Sequence, residues 1–300
     1  MDRINVMRLY VRIVERGSFA QAARDLRIPR PAATHAMQRL ESELGVRLLE
    51  RTTRSVRPTL DGALYHERCV RLLADLDEVE NVFRNAEPRG PLRVDMQGTL
   101  ARFFVIPALP QFIARYPDIS LNLSEGDRMV DLVTEGVDCV IRAGQLPDSS
   151  LVGRRLALLA QVTLASPAYL ERFGTPTSPD ALEGHHMVAY TASATGQPYP
   201  LEFEADGREW LVPLPYRVVV RGAEIYTASA VAGLGLIQVP RYRVQHQIVA
   251  GQLVSLMEDF PPPAMEVSVL YPQSRHLSSR VRVFIDWLTE LFRSAQADQG

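Results

Sequence analysis

Arg30, Thr34, His35, Gln38 and Arg39 recur at helical spacing, on the face opposite Ala33, Met37, Leu40 and Leu44. These side chains reach the base edges and phosphates of a duplex, and Ala32 is positioned to meet a thymine methyl group. Arg47, Arg51, Arg54 and Arg57 follow within eleven residues, with Thr52 and Thr53 between the middle pair. A helix with a polar reading face, followed by an arginine-rich hairpin, is a device for entering a major groove and clamping the flanking phosphates.

Such a helix needs a scaffold, and the preceding residues supply one. Met7, Tyr10, Val11 and Val14 share one face of a helix that Gly17 terminates. Ser18 caps the next helix, which buries Phe19, Ala22, Ala23 and Leu26; its alanines permit a close helix crossing. The chain breaks at Arg27-Ile28-Pro29, and Pro29 and Pro31 suit the opening of the third helix. Val56, Pro58 and Thr59 complete the two strands and tip of a wing. Residues 1–59 therefore read as a winged helix–turn–helix, with Ser18, Arg30, Pro31, Ala32, Thr34, His35, Gln38, Arg39, Arg51, Thr52, Thr53 and Arg54 as candidate DNA contacts. The competing reading, a three-helix interaction module with a solvated arginine face, has no need of a wing.

Charge distribution agrees. Residues 1–72 hold 14 Arg against 8 acidic residues, a net +6; the remainder holds 19 Arg against 27, a net −8. A basic head on an acidic body suits a polyanion-binding head whose body stays off the polyanion. All 33 basic residues are Arg, in the acidic body too, which points to GC-rich codon usage. The two cysteines, Cys69 and Cys139, have no metal-type spacing. Without an export signal or an apolar run of about 20 residues, the expected location is the cytoplasm.

Between Leu60 and Asn85 there is no Pro, and Tyr65, Cys69, Leu72, Leu76, Val79 and Phe83 recur at spacings of 4, 3, 4, 3 and 4. That heptad seam fits a helix seeking a partner helix, hence a dimer seam over a connector at 60–90; packing on its own domain is the alternative. Cys69 on the seam reads as a small core residue before a redox switch. Glu87-Pro88-Arg89-Gly90-Pro91 ends the connector as a hinge.

From Leu92 the pattern alternates strand, helix, strand, helix, strand up to Ala143, which implies an α/β domain with a mostly parallel, doubly wound sheet. In such sheets ligands sit beyond the strand carboxyl ends, where helix amino-termini present free N–H groups. The turn at Gly98, Thr99 and Leu100 is one such place, and Arg142 ends a strand where it could pair with a carboxylate. Thr99 as a plain helix cap and Arg142 as a structural ion-pair partner are the bland alternatives. His185 and His186 lack a third metal ligand and read as structural, so no metal and no cofactor are expected. Ser149-Ser150 has no nearby His, and no nucleophile–base pair or phosphate loop is evident, so the chain does not read as an enzyme.

Two blocks carry a family resemblance. MDRINVMRLYVRIVERGSFAQAARDL and QRLESELGVRLLERTTRSVRPTLDG resemble the amino-terminal domain of the LysR-type transcriptional regulators, with Pro29 and Pro31 where the family usually has serines. Val137 to Gly144, Leu146 to Leu151, Arg154-Arg155-Leu156 and Ala228 to Pro240 resemble the same family's body. The resemblance implies a winged helix–turn–helix, a long linker helix and a two-lobed, periplasmic-binding-protein-like α/β effector domain at 91–300. Lobe one would be 91–161 and 267–297, and lobe two 162–266. It also implies double-stranded DNA with two-fold-related half-sites as partner, a homodimer or homotetramer paired through the linker helix, and a small-molecule effector, with a carboxylate as candidate. On that plan Thr191, Thr195, Arg221 and Tyr226 close the cleft opposite Thr99. A two-lobed solute-binding or catalytic protein with an appended helical domain, and a ligand-independent architectural DNA binder, are the readings to be weighed against a switchable regulator.

Overall fold

The computed structural model describes residues 1–51, 56–81, 87–126, 132–144, 151–191, 196–272 and 277–297, in two compact units, Met1–Pro91 and Leu92–Gly300. Thr52, Thr53, Arg54, Phe83 and Thr195, and the side chains of Arg51 and Val79, lie outside the described residues. No helix among those described is long and apolar enough to cross a membrane.

In the first unit, α1 (Arg3–Arg16) opens on Asp2, whose carboxylate accepts the Asn5 N–H, and closes on Gly17 at φ 58°. Ser18 caps α2 (Phe19–Asp25) by accepting the Gln21 N–H. Arg27 takes a positive φ of 53° in the turn to α3 (Arg30–Leu44), whose first turn tolerates Pro31 because its missing N–H would have no helical acceptor. The antiparallel strands β1 (Leu49–Arg51) and β2 (Val56–Pro58) form the wing. Leu9, Tyr10, Ile13, Ala22, Ala33, Met37, Leu40 and Leu48 fill one core; each large apolar side chain buried there stabilises by about 1.5–3 kcal/mol.

Helix α4 (Leu60–Asn81) leaves the wing through a close contact. A Cβ on Gly62 would lie 1.9 Å from the Leu48 carbonyl oxygen, so only glycine lets the helix approach. Tyr10 donates its hydroxyl to the Gly62 carbonyl at 2.7 Å. The first part of the expected seam turns inward: the Tyr65 ring lies 5.3 Å from that of Tyr10, and Cys69 is buried in the head's own core. Leu72 is exposed and Leu76 half-buried.

The second unit, from Leu92, holds most of β3 (Gly90–Met96). Helix α5 (Gly98–Leu100) continues through a wide π-type turn, Ala101–Val105, into α6 (Ile106–Arg115). Strand β4 (Ile119–Glu125), helix α7 (Leu132–Glu135), strand β5 (Cys139–Ala143) and strand β6 (Leu151–Leu159) follow. The chain then crosses at Ala160 into β7 (Gln161–Ala165), which belongs to a different sheet. After α8 (Pro167–Phe173) come β8 (Met187–Tyr190), the β9–β10 hairpin (Leu201–Ala205, Arg208–Val212), β11 (Tyr216–Val220), α9 (Ala223–Val231), β12 (Ile237–Pro240), α10 (Gln245–Val249) and β13 (Val254–Leu256). Strand β14 (Met265–Pro272) returns to the first lobe, and α11 (Ser279–Ala297) packs there.

Lobe one is a five-stranded sheet in the order β4-β3-β5-β14-β6. Strands β3 and β5 are parallel, but β14 inserts antiparallel to both β5 and β6, so this half of the sheet departs from the parallel winding that the alternating pattern predicts. The reason is connectivity: β14 enters from the other lobe and needs no crossover helix. Lobe two pairs β12 and β13 antiparallel to β7, and β11 parallel to β8. Gly235 lets β8 and the approach to β12 touch, since a Cβ there would stand 2.7 Å from the Met187 carbonyl carbon. The two crossings are tied where Gln161 Nε2 donates to the Pro263 carbonyl at 2.7 Å.

Candidate functional site

Ala33, Met37 and Leu40 face the core, while Arg30, Pro31, Ala32, His35, Gln38 and Arg39 are exposed and Thr34 is half-buried. Ser18 spends its hydroxyl on the α2 cap, so its side chain anchors the helix ahead of the reading face. Arg39 Nε donates to Glu43 at 2.8 Å, and Arg3 bonds the same carboxylate. The Arg39 hydrogen bond comes first in holding Glu43 below the usual carboxylate range. That pair is solvent-exposed and weak. Glu41 fixes the angle between α3 and the wing: its Oε1 accepts the N–H groups of Leu48 (2.8 Å) and Leu49 (3.0 Å). Arg47, just before β1, and Arg57, within β2, are exposed.

In the second unit the lobes meet around Tyr242, in a short 3-10 turn after β12. Its hydroxyl donates to Thr99 Oγ1 at 3.2 Å, joining lobe two to the start of the α5–α6 helix in lobe one. The π-type turn supplies two successive phenylalanines. Phe104 is buried, 4.8 Å from Tyr242 and 5.0 Å from Phe292, while Phe103 is partly exposed, 5.4 Å from the Tyr242 ring. Burial pushes the Tyr242 hydroxyl up, which keeps it a neutral donor. Arg102 pairs with Glu224 of α9 at 3.3 Å across the same seam. Arg243 is held from below, donating to the Ala223 carbonyl (2.6 Å) and to Thr227 Oγ1 (3.3 Å). Arg102, Phe103, Glu224, Tyr242, Arg243 and His246 line a cavity of about 550 Å³.

The residues anticipated for an effector separate into groups. Gly98, Thr99 and Leu100 form the turn next to Tyr242, with the Glu125 carboxylate so close that a Cβ on Gly98 would lie 1.9 Å from its Oε1. Arg142 is buried and bonded to the equally buried Asp95, which Ser124 also contacts at 2.6 Å. Its charge is thus matched by Asp95 inside lobe one. Tyr226 is buried in lobe two's core, its ring 5.1 Å from Tyr190 and its hydroxyl accepting the Gln238 N–H at 3.2 Å; burial pushes its hydroxyl up to about 12. Thr191 is buried with no hydrogen bond to its hydroxyl, and Arg221 is exposed. His185 contacts the Tyr169 hydroxyl through Nδ1 at 3.2 Å. Among the described residues no group of three or more His, Cys, Asp or Glu could hold a metal ion.

Arg102, Glu224, Tyr242 and Arg243 escaped the sequence reading. The available signal was the run Arg241-Tyr242-Arg243 immediately after the Val239-Pro240 strand end: two cations and an aromatic where an α/β strand opens toward a cleft.

Comparison with known proteins is consistent across both units. The family model described as "Bacterial regulatory helix-turn-helix protein, lysR family" matches residues 4–63, and the one described as "LysR substrate binding domain" matches residues 85–293. The HTH-type transcriptional regulator YhjC of Escherichia coli is 37% identical over 296 residues, covering 98% of this chain and 99% of its own. The HTH-type transcriptional activator AaeR of Escherichia coli is 33% identical, covering 97% and 94%. The solved structure of CrgA, a LysR-type transcriptional regulator from Neisseria meningitidis, superposes with a TM-score of 0.57 at 30% identity, over 96% of this chain and 98% of that one. With a DNA-binding head, a two-lobed body and relatives matching over nearly its full length, the chain belongs to the LysR family of DNA-binding transcriptional regulators with an effector-binding domain.

Proposed function

We propose that the chain works in the cytoplasm as a homo-oligomeric, non-enzymatic regulator. On this reading the exposed face of α3 reads two related half-sites, and a small organic anion between the lobes resets the grip on DNA. The observation that carries the proposal is the seam at Tyr242. The Tyr242 hydroxyl bond to Thr99 and the exposed ion pair of Arg102 with Glu224 run between the lobes beside a cavity of about 550 Å³. A ligand that binds one lobe arrangement better than another shifts the population toward it. Arg30, Pro31, Ala32, Thr34, His35, Gln38 and Arg39, with the wing arginines, are the proposed DNA contacts. Gly98, Thr99 and Leu100 are the proposed effector contacts in lobe one, with Thr191 and Arg221 from lobe two. Arg142 and Tyr226 act behind them by stiffening the sheet and α9. Exposed Leu72 and half-buried Leu76 of α4 belong to the proposed pairing surface.

The test is a titration of small carboxylates against the full-length chain on its adjacent intergenic DNA, reading binding calorimetrically and the DNA footprint in parallel. A carboxylate that binds and shifts the footprint supports the reading. Carboxylates that bind and never move it count against the reading.

A further inference from the structure

Resting on the reading that α3 enters the major groove, we infer that Arg27 is a further DNA contact, meeting a backbone phosphate beside that groove, and that arginine stands there at a cost in stability. Helix α2 ends in two nested hydrogen bonds: the Arg27 N–H donates to the Arg24 carbonyl at 3.1 Å, and the Ile28 N–H to the Ala23 carbonyl at 3.0 Å. This is the pattern of a Schellman motif, which needs a left-handed residue at the place that glycine usually fills. Arg27 fills it, at φ 53°. The left-handed conformation presses a Cβ against the following carbonyl oxygen, so a side chain here burdens the fold. The motif also decides direction: Ile28 packs half-buried against the head's core, while Arg27 is exposed.

The charges around this turn suit a polyanion. The four arginines of α1 are paired: Arg3 with Glu43, Arg8 with Asp77, and Arg12 and Arg16 with Asp25. Asp25 is the one acidic residue between Phe19 and Arg39, and it turns back to α1. Arg24, Arg27 and Arg30 are exposed, and among the described residues none of the three has an ion-pair partner. Arg27 therefore holds an unneutralised guanidinium on a rigid turn, three positions ahead of the first residue of α3. A guanidinium fork matches a phosphate and forms charge-assisted hydrogen bonds with it. Such a contact fixes the register of the reading helix on the duplex and carries no sequence information of its own. Glycine would satisfy the turn without strain, so the side chain's use lies in what it touches.

Fluorescence-anisotropy titration of the full-length chain, across a range of salt, with its adjacent intergenic duplex and with a mixed-sequence duplex tests this. Arg27→Gly removes the guanidinium and the strain together. It should lower the slope of log affinity against log salt by about 0.9 on both duplexes, so that wild type's advantage shrinks about 3.5-fold between about 50 and 200 mM salt. The same variant should melt no lower than wild type and up to about 5 °C higher. A purely structural residue would move the melting temperature and leave the salt slope alone. Arg27→Lys keeps the charge and should keep the slope. Arg12→Gln removes one charge from a paired position on α1 and should also leave the slope at its wild-type value. A slope unchanged by Arg27→Gly, or lowered equally by Arg12→Gln, overturns the contact, and an Arg27→Gly chain that melts below wild type overturns the cost in stability. A wild type that binds both duplexes alike overturns the reading of α3 alone; discrimination between them with an unaltered Arg27→Gly slope overturns this inference alone.

Discussion

The junction between reading helix and wing hangs on one side chain. A single Glu41 oxygen accepts the N–H groups of Leu48 and Leu49, two residues that are themselves buried. A hydrogen bond to a charged group contributes about 1.5–3 kcal/mol. Sharing one oxygen and partial access of water to the freed donors reduce the sum, giving about 2–4 kcal/mol for Glu41→Ala. The first unit spans Met1–Pro91. For a domain of that size each kcal/mol moves the melting temperature by about 4–8 °C, so its transition should fall by roughly 10–25 °C. Glu41→Gln keeps a neutral acceptor and should lose about half as much. Scanning calorimetry of the full-length chain measures the shift, and hydrogen exchange of peptides from α3 and β1 locates it. A Glu41→Ala head that melts within about 2 °C of wild type, with unchanged α3 protection, refutes the assignment of this carboxylate as the clamp.

Other substitutions probe the remaining joints. Gly62→Ala forces a methyl group onto the Leu48 carbonyl and should cost about 1–3 kcal/mol, read as a lowered midpoint in urea. Tyr242→Phe removes the hydroxyl bond to Thr99 and should loosen the lobe seam by about 0.5–1.5 kcal/mol, visible as faster hydrogen exchange around Gly98 to Ala101. Burial lowers the His185 pKa from its usual 6.5, so the folded ring refuses a proton that the unfolded chain accepts; stability is full above about pH 6.5 and declines as the pH falls below it, and His185→Gln should flatten that decline in pH-dependent melts. Arg57→Ala should reduce the slope of log affinity against log salt by about 0.9 on any duplex, the signature of one phosphate contact.

Much of the head was legible because its signals are local. Gly17 and Ser18 punctuate the helices by their own conformational preferences, and the period of Ala33, Met37 and Leu40 fixes which face of α3 is left outward. The α4 seam was ambiguous for a physical reason. Tyr65 and Cys69 lie at spacings that serve a partner helix and α1 equally, and the nearby Tyr10 ring decides for α1. In the body, the strand–helix alternation was readable, but the antiparallel insertion of β14 was not, because strand direction is set by where the chain returns from. Tyr226 sits at a helix start, which suggested the cleft, yet its helical phase turns it into the core. The Tyr242–Thr99 contact spans 143 positions in the chain, and no local pattern encodes a bond of that range.

The central claim is that the outward face of α3 specifies which DNA is bound, and selection from a randomised duplex pool tests it most directly. Full-length wild type, Gln38→Ala and Arg30→Ala would be selected in parallel at one stated salt concentration, and their affinities measured on the wild-type site and on its single-base variants. The account predicts a two-fold-related pair of half-sites for wild type. Gln38→Ala should lose about 1–3 kcal/mol at one base position in each half-site and tolerate substitutions there, while Arg30→Ala should weaken all duplexes with a reduced salt slope if it meets a phosphate, or relax one base position if it meets a base edge. Recovery of an unchanged site by both variants, with wild-type affinity at every position, would contradict the account.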